Sequence, residues 1–401
     1  MSPTLANKRI SIIGAGPGGL TCARILQRHG IAVTVYDRDV EAGSRNQGGS
    51  LDLHEDDGQI ALREAGLLDE FFALARFDGQ EMREMDTTGR ILAHHVPAED
   101  ETATPEIDRG QLRDLLLNSL EPDTVQWGRA LESMSGPVDE RMHGPVDRSR
   151  VLTFTDGTRI ETDLVIGADG AWSRVRTALS AATPEYSGVS FLEAWFDDMD
   201  TAHPELAELV GKGSAHAADG DRGLFAQRNS GGHMRVYIMQ RVPVDWIVAN
   251  GLIGAGSAGA SSTSAATNEI RAHLLREFAA WSPEMLRMIA DNDGAYVDRP
   301  LFALPAPHSW EHSSTVTLLG DAAHLMPPVG VGVNLAMLDA SELALAVAHS
   351  DTIEEAVRRY ESTMLPRSTE IATMLDHGAE FLLAVGGMDE ITEIGETLDA
   401  A

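Results

Sequence analysis

The sequence predicts an α/β (α+β) protein with three parts: a Rossmann-like nucleotide-binding domain, an antiparallel-sheet domain inserted into it, and a C-terminal helix. Three observations carry this. A β-prone run, Arg9 to Ile13, leads into Gly14-Ala15-Gly16-Pro17-Gly18-Gly19, then a helical pattern and a second strand that stops at Asp37. Two later apolar runs, Leu164 to Ile166 and Val316 to Leu319, also end in Gly and Asp, as Gly167-Ala168-Asp169-Gly170 and Gly320-Asp321. Between them, Val189 to Val242 alternates as antiparallel strands do.

Taken in order, the first element is the dinucleotide-binding βαβ unit. Gly14 permits the tight turn, Gly16 lets backbone approach a pyrophosphate, and Gly19 allows close helix–strand packing. Free amides at the helix start favour an anion. Asp37 lies about 20 residues beyond the first glycine, the spacing of an acid that binds a ribose hydroxyl. Arg38 to Gly49 is a polar loop, and Leu51-Asp52-Leu53-His54 alternates like a strand edge. From spacing alone, Arg45 and Asp52 read as solvated charge. Asp57 to Ala75 reads as one helix, and Glu81 to Val96 as strands of a second sheet. Arg109 opens the helix Gln111 to Leu120, where a cation opposes the helix dipole and calls for an anionic partner. Arg174 and Arg176 open a further helix after Asp169-Gly170 and could answer phosphates. Arg235 stands among apolar neighbours in the alternating region.

Residues 318–334 read LLGDAAHLMPPVGVGVN. A strand ends at Gly320-Asp321, Pro327-Pro328 holds the backbone extended, and Gly330, Gly332 and Asn334 lead into a helix. This is a seat for a ring that gathers negative charge. A Thr352-x-x-Glu355 capping box starts the last helix, which Pro366 is expected to bend or break.

Composition narrows the function classes. The net charge is −31, and only Lys8 and Lys212 are lysines. Such a surface opposes nucleic acid and anionic membranes. One cysteine, Cys22, excludes an intramolecular disulfide and a Cys-cluster metal site. The histidines are scattered, so no metal site is expected. Without a signal-like or spanning apolar run, a cytoplasmic monomer is the expectation.

The motifs GAGPGG at 14–19, DLVIGADGAWSRVR at 163–176 and GDAAHLMPP…GVGVN at 320–334 together resemble the group A flavoprotein monooxygenases of the aromatic-hydroxylase type. Within that family, GGSLDLHEDDGQIALREAGLLDEF and PEIDRGQLRDLLLNSL are most similar to the tetracycline-inactivating enzymes. The resemblance implies FAD, held by Gly14, Gly16 and Gly19 at the pyrophosphate, Asp37 and Arg38 at the adenosine end, Asp52 and Arg109, Asp321 at the ribityl chain, and Gly330, Gly332 and Asn334 at the reducible edge of the ring. It implies NADPH (or NADH), met by Arg45 and by Asp169-Gly170, and O₂ activated as a C4a-hydroperoxyflavin. The partner is a small aromatic or polycyclic, tetracycline-like substrate, with no side chain acting as nucleophile. Where the tetracycline enzymes present a glutamine and a histidine to substrate, this chain has Glu193 and Arg235. The expected domains are residues 1–80, 97–180 and 296–350 for FAD, 81–96 and 181–295 for substrate, and 351–401 for the C-terminal helix and tail. A flavin dehydrogenase or reductase, or a ligand-sequestering flavoprotein, are the alternatives on this scaffold.

Overall fold

The computed structural model describes residues 5, 7–44, 48–99, 101–136, 149–252, 264–375 and 378–386. Strand Ile10–Ile13 is buried at every position, as a central strand covered on both faces must be. It pairs in parallel with Leu164–Gly167 on one side and Val33–Tyr36 on the other. Val316–Leu318 and Val125–Gln126 complete a five-stranded parallel sheet. Ile13 lies opposite Gly167, and Gly167 opposite Leu318. This register brings three motifs far apart in sequence to one edge, where open α/β sheets bind ligands.

A seven-stranded sheet runs in the order Val297–Ala303, Glu185–Phe196, Met234–Arg241, Arg222–Arg228, Ser214–Ala218, Met82–Met85, Ile91–His95. Alternation sorts its side chains into two faces. Leu192, Ala194, Val236 and Ile238 form a core with Ile270, Leu274, Met285 and Met288 of two covering helices. On the opposite face Phe191, Phe225, Tyr237 and Met239 cluster with Val329 and Val331 of the Pro-Gly turn, and with Leu375, Leu382 and Leu383 near the C-terminus. This cluster joins the two sheets.

Several elements depart from the sequence expectations. The helix expected over 57–75 is two, Gly58–Ala65 and Leu68–Leu74, because Gly66 ends the first in the left-handed region at φ 68°. The helix expected after Ser173 is one 3₁₀ turn, Arg176–Ala178. Strand Val297–Ala303 pairs along Glu185–Phe196, whereas the sequence assigns residues 296–350 to the nucleotide part. The helix that starts at the capping Thr352, Ile353–Met374, runs on through Pro366, and a one-turn helix, Gly378–Phe381, follows it. An internal proline costs about 3 kcal/mol, but this helix is tied on both sides of it. The Tyr360 hydroxyl donates to Leu318 O at 2.9 Å, and Arg367 reaches Asp339 at 2.9 Å. Half of the expected capping box forms: Thr352 Oγ1 accepts from Glu355 N at 3.1 Å, while the Glu355 carboxylate accepts from Asp351 N at 3.2 Å rather than from Thr352 N. Among the described residues no helix is long and apolar enough to cross a membrane.

Candidate active site

The glycine loop is built by packing against its neighbours. Gly14 has φ 109°, and a Cβ there would lie 2.2 Å from Ala168 O; at Gly19 it would lie 2.1 Å from Gly14 O. A Cβ at Gly16 would meet nothing within 4 Å. Two glycines therefore serve the protein, while the third keeps space clear over the start of helix Pro17–Arg28. No side chain caps that helix start, so its amides are available to an anion. Asp37 is buried and braces the loop: it accepts from Ala15 N at 2.6 Å and Asp39 N at 2.8 Å. Arg38 beside it is exposed. Arg113, which the sequence reading overlooked, donates to Ala15 O at 3.2 Å and Ala42 O at 2.6 Å and lies over Trp127. Nothing local distinguishes it from any helical arginine.

The Gly320-Asp321 motif is held from behind by a buried network. Asp339 accepts from Gly320 N at 3.0 Å, from His324 Nε2 at 2.6 Å and from Arg367 at 2.9 Å. Burial disfavours both charges, yet the pairing wins. The Asp339 carboxyl is held below its usual range by His324 and Arg367, and the His324 imidazole above its own by Asp339. Arg176 donates to Ala322 O at 3.1 Å and Ala171 O at 2.6 Å, tying the second motif to the third. Its guanidinium is thus spent on carbonyls rather than offered to phosphate; Arg174 is the exposed one. Asp169 is also turned inward, accepting from Ser173 Oγ and, at 2.7 Å, from Arg174 N, while Gly170 faces open space.

Asp321 differs from all of these. Its side chain reaches solvent and has no hydrogen-bond partner among the described residues. It nonetheless sits deep in a recess: the surrounding protein pushes its carboxyl pKa up, against the pull of His324, Arg109 and Arg176. Arg109 hydrogen-bonds through its backbone N to Gly49 O at 3.0 Å, and its guanidinium has no partner among the described residues. Asn334 clamps the far wall. Its Oδ1 accepts from His54 N at 3.0 Å and its Nδ2 donates to Asp52 O at 3.0 Å. A Cβ on Gly330 would stand 3.6 Å from Asp52 Oδ2, and one on Gly332 would meet nothing within 4 Å. Asp52 also pairs with His54 at 3.1 Å. Arg45 lies outside the described residues.

Glu193 and Arg235 come together as an ion pair on neighbouring strands, with Glu193 also accepting from Arg299 Nε at 3.2 Å. The sequence reading named the first two and overlooked the third. It overlooked Glu106 as well. This buried carboxyl bonds Ser50 Oγ and, at 3.4 Å, Gln227 Nε2, and burial followed by the charge of Asp52 pushes its pKa up to about 8.

Residues 8–242 and 309–374 match the FAD binding domain family. The chain is also 31% identical to Monooxygenase penA of Penicillium thymicola, over 97% of this chain and 98% of that one. The chain belongs to the group A flavoprotein monooxygenases. Solved members of this fold include Klebsiella pneumoniae HpxO complexed with FAD and uric acid, at a TM-score of 0.75 and 21% identity over 99% of this chain and 94% of that one. Tetracycline destructase Tet(51) gives a TM-score of 0.66 at 18% identity over 98% and 96%. The recess of this monooxygenase suits FAD on its own terms: open space at Gly16 and Gly332, two helix starts without a side-chain cap, and an Asp321 carboxyl with no hydrogen-bond partner among the described residues.

Proposed function

We propose that this FAD-dependent monooxygenase uses NADPH, or NADH, and O₂ to hydroxylate a small aromatic or polycyclic substrate, a class that includes tetracycline-like molecules. The observation that supports the reading is the junction of the Pro-Gly turn with one face of the seven-stranded sheet. There Phe191, Tyr237 and Phe225 pack with Val329 and Val331. Such surfaces favour a flat ring. HpxO, whose fold it shares, holds a small planar ring of this kind.

Bound FAD would supply electron transfer and oxygen activation; the chain supplies binding, orientation and electrostatics. Gly14, Gly16 and Gly19 shape the pyrophosphate seat, with Asp37 and Arg38 at the adenosine end. Asp321, Arg109 and Asp52 hold the ribityl chain and the near wall. Amides from Gly330 to Asn334 would stabilise negative charge on the reduced ring. Asp169-Gly170 and Arg45 meet the nicotinamide cofactor. Glu193 and Arg235 belong to the substrate wall, and the apolar residues beside them keep water out.

The test is a panel of phenols and polycycles, a tetracycline among them, offered to the FAD-loaded protein. We expect substrate-stimulated NADPH oxidation and a product heavier by one oxygen. Asp321→Ala should lower flavin affinity by about tenfold or more, the scale of one lost charge-assisted hydrogen bond, read as flavin retained after gel filtration. A protein that takes up no flavin, or one that oxidises NADPH only to hydrogen peroxide with every compound, would overturn the reading.

A further inference from the structure

The C-terminal residues 378–386 lie along the seven-stranded sheet, and one buried pair ties them down. At the near end a Cβ on Gly378 would stand 3.5 Å from Pro327 of the Pro-Gly turn. Leu382 and Leu383 are buried in the cluster that holds Phe191, Met239, Val329 and Val331. The polar ties lie beyond. His216, fully buried on strand Ser214–Ala218, has its Nε2 3.0 Å from Leu382 O and its Nδ1 2.9 Å from Glu84 Oε2. Glu84, buried on the adjoining strand Met82–Met85, accepts from Gly386 N at 3.1 Å through its other oxygen. Gly220 N adds a bond to Leu383 O at 2.9 Å.

Two of these three ties run through His216 and Glu84, and together they need a proton. Both ring nitrogens of His216 face acceptors, a carboxylate on one side and a carbonyl on the other. A neutral imidazole carries one N–H, so neither tautomer donates to both; the imidazolium does. A neutral ring serves equally if the Glu84 carboxyl carries the proton and gives it to Nδ1. Either way the pair must keep one proton, which belongs to the pair rather than to one residue. Its loss sets a nitrogen lone pair against an oxygen in a buried site, where a hydrogen bond left unmade is costly.

The surroundings leave this task to the pair. Strand Arg222–Arg228 presents the Phe225 ring to His216, with centroids 6.4 Å apart, and the C-terminal segment presents the Leu382 carbonyl. On the strand beyond Glu84, Ala93 stands opposite it, while His94 and His95 are engaged by Glu81 and Glu101. Glu380 of the segment is exposed and lies 3.9 Å from Arg241. Among the described residues, Glu84 is thus the charged group that meets the ring.

We propose that His216 and Glu84 form a proton-dependent clasp for the C-terminal segment: the proton they share seats residues 378–386 on the sheet, and its loss as pH rises frees them. The segment packs on the same apolar cluster as the Pro-Gly turn. Closure of the junction between the two sheets therefore responds to pH. The clasp is independent of which ring the enzyme oxidises and of which nucleotide reduces it.

Hydrogen–deuterium exchange of the full chain, flavin-free and FAD-loaded, tests this. Peptides covering 378–386 are compared with an unfolded control at each pH from about 5.5 to about 9.5, a span that covers the ordinary titration of an imidazole. The control removes the intrinsic rise of exchange with pH. We expect protection of these amides to fall about tenfold or more across the span, the scale of one charge-assisted hydrogen bond. Peptides of strand Ile10–Ile13 should keep theirs. His216→Gln has no titrating ring, so protection of the segment should no longer depend on pH. Glu84→Gln offers an amide N–H that a neutral ring can accept, so the segment should stay protected at the high-pH end. Parent protection that does not change with pH overturns the clasp. So does a fall as large in His216→Gln as in the parent, or a Glu84→Gln segment that is lost at high pH as the parent's is. The parent profile decides by itself where a variant fails to fold.

Discussion

The nucleotide side and the sheet side of the site are built on opposite plans. On the nucleotide side, what stands open is backbone and space: Gly16 and Gly332 leave room, two helix starts carry no side-chain cap, and the Asp321 side chain has no hydrogen-bond partner among the described residues. Among the paired charged side chains there, His324, Asp339 and Arg367 sit behind the wall and hold it. On the substrate side, the charged groups are in the wall itself and pair with one another across strands, Glu193 with Arg235 and Arg299. A backbone seat keeps one ligand geometry for a shared cofactor. A wall of cross-strand side chains can change its ligand when one residue changes.

The sharpest way to break the comparison lies in the glycine loop. Gly14→Ala and Gly19→Ala each force a Cβ to within 2.2 Å or 2.1 Å of a backbone oxygen. Neither position can yield, so each variant should lose about 3 kcal/mol or more and be recovered unfolded or flavin-free. Gly16→Ala, with nothing within 4 Å, should keep the parent melting temperature of the flavin-free protein while flavin affinity falls. Flavin stoichiometry and thermal melting of the apoprotein separate the two outcomes. If Gly16→Ala also lowers the apoprotein melting temperature, the division between packing glycines and a ligand-facing glycine is wrong.

A second test strikes behind the wall. Asp339→Asn leaves His324 and Arg367 without their shared carboxylate, and removing one partner of a buried ionic network costs about 3–5 kcal/mol. The pH dependence of the parent carries the same information. His324 has its pKa raised in the fold, so its contribution is complete below the ordinary value of 6.5 and is lost as pH rises through the folded value. Asp339 has its pKa lowered, so its contribution is complete above 3.8 and is lost as pH falls through the folded value. The pair therefore acts fully between those two ordinary values, and Asp339→Asn should flatten both flanks. Chemical denaturation at several pH values measures this; flanks as steep as in the parent would remove the network from the account.

This contrast also explains what was legible in the sequence. The three Gly/Asp motifs could be read because each is a local event: a strand end, a turn and a helix start within a few residues. Their meeting at one edge follows from parallel topology, which the opening βαβ unit already implies. Arg113 and Arg176 could not be placed, since their partners are carbonyls of distant loops and a helical arginine has no local mark. Glu193 and Arg235 were found through the family resemblance. Their pairing needed the register that sets Trp195 opposite Arg235, and Arg299 needed a third strand more than fifty residues further on. Pro366 misled because intrinsic propensity says nothing of the ties at Tyr360 and Arg367.

The last effect we expect is at the seam joining the two sheets. Glu106 lies in the short strand Glu106–Asp108, paired with Ser50–Asp52, and reaches across to Gln227 of the seven-stranded sheet. Burial first, and then the negative charge of Asp52, raises its pKa to about 8, although Ser50, Arg76 and Gln227 work the other way. The folded protein therefore keeps a proton that the unfolded chain releases above the ordinary value of 4.5. Folded binds more protons than unfolded in that interval, so this carboxyl makes stability fall as pH rises from about 4.5 to about 8. The slope from one such group is at most about 1.4 kcal/mol per pH unit. Glu106→Gln keeps the shape and an oxygen that can accept from Ser50 but cannot ionise, so it should remove that slope and raise stability relative to the parent at pH 8. If the parent and Glu106→Gln fall in parallel between pH 5 and pH 8, the seam is already ionised. The carboxylate would then have to be balanced by Arg76, and the walls would be joined by an ion pair rather than by a shared proton.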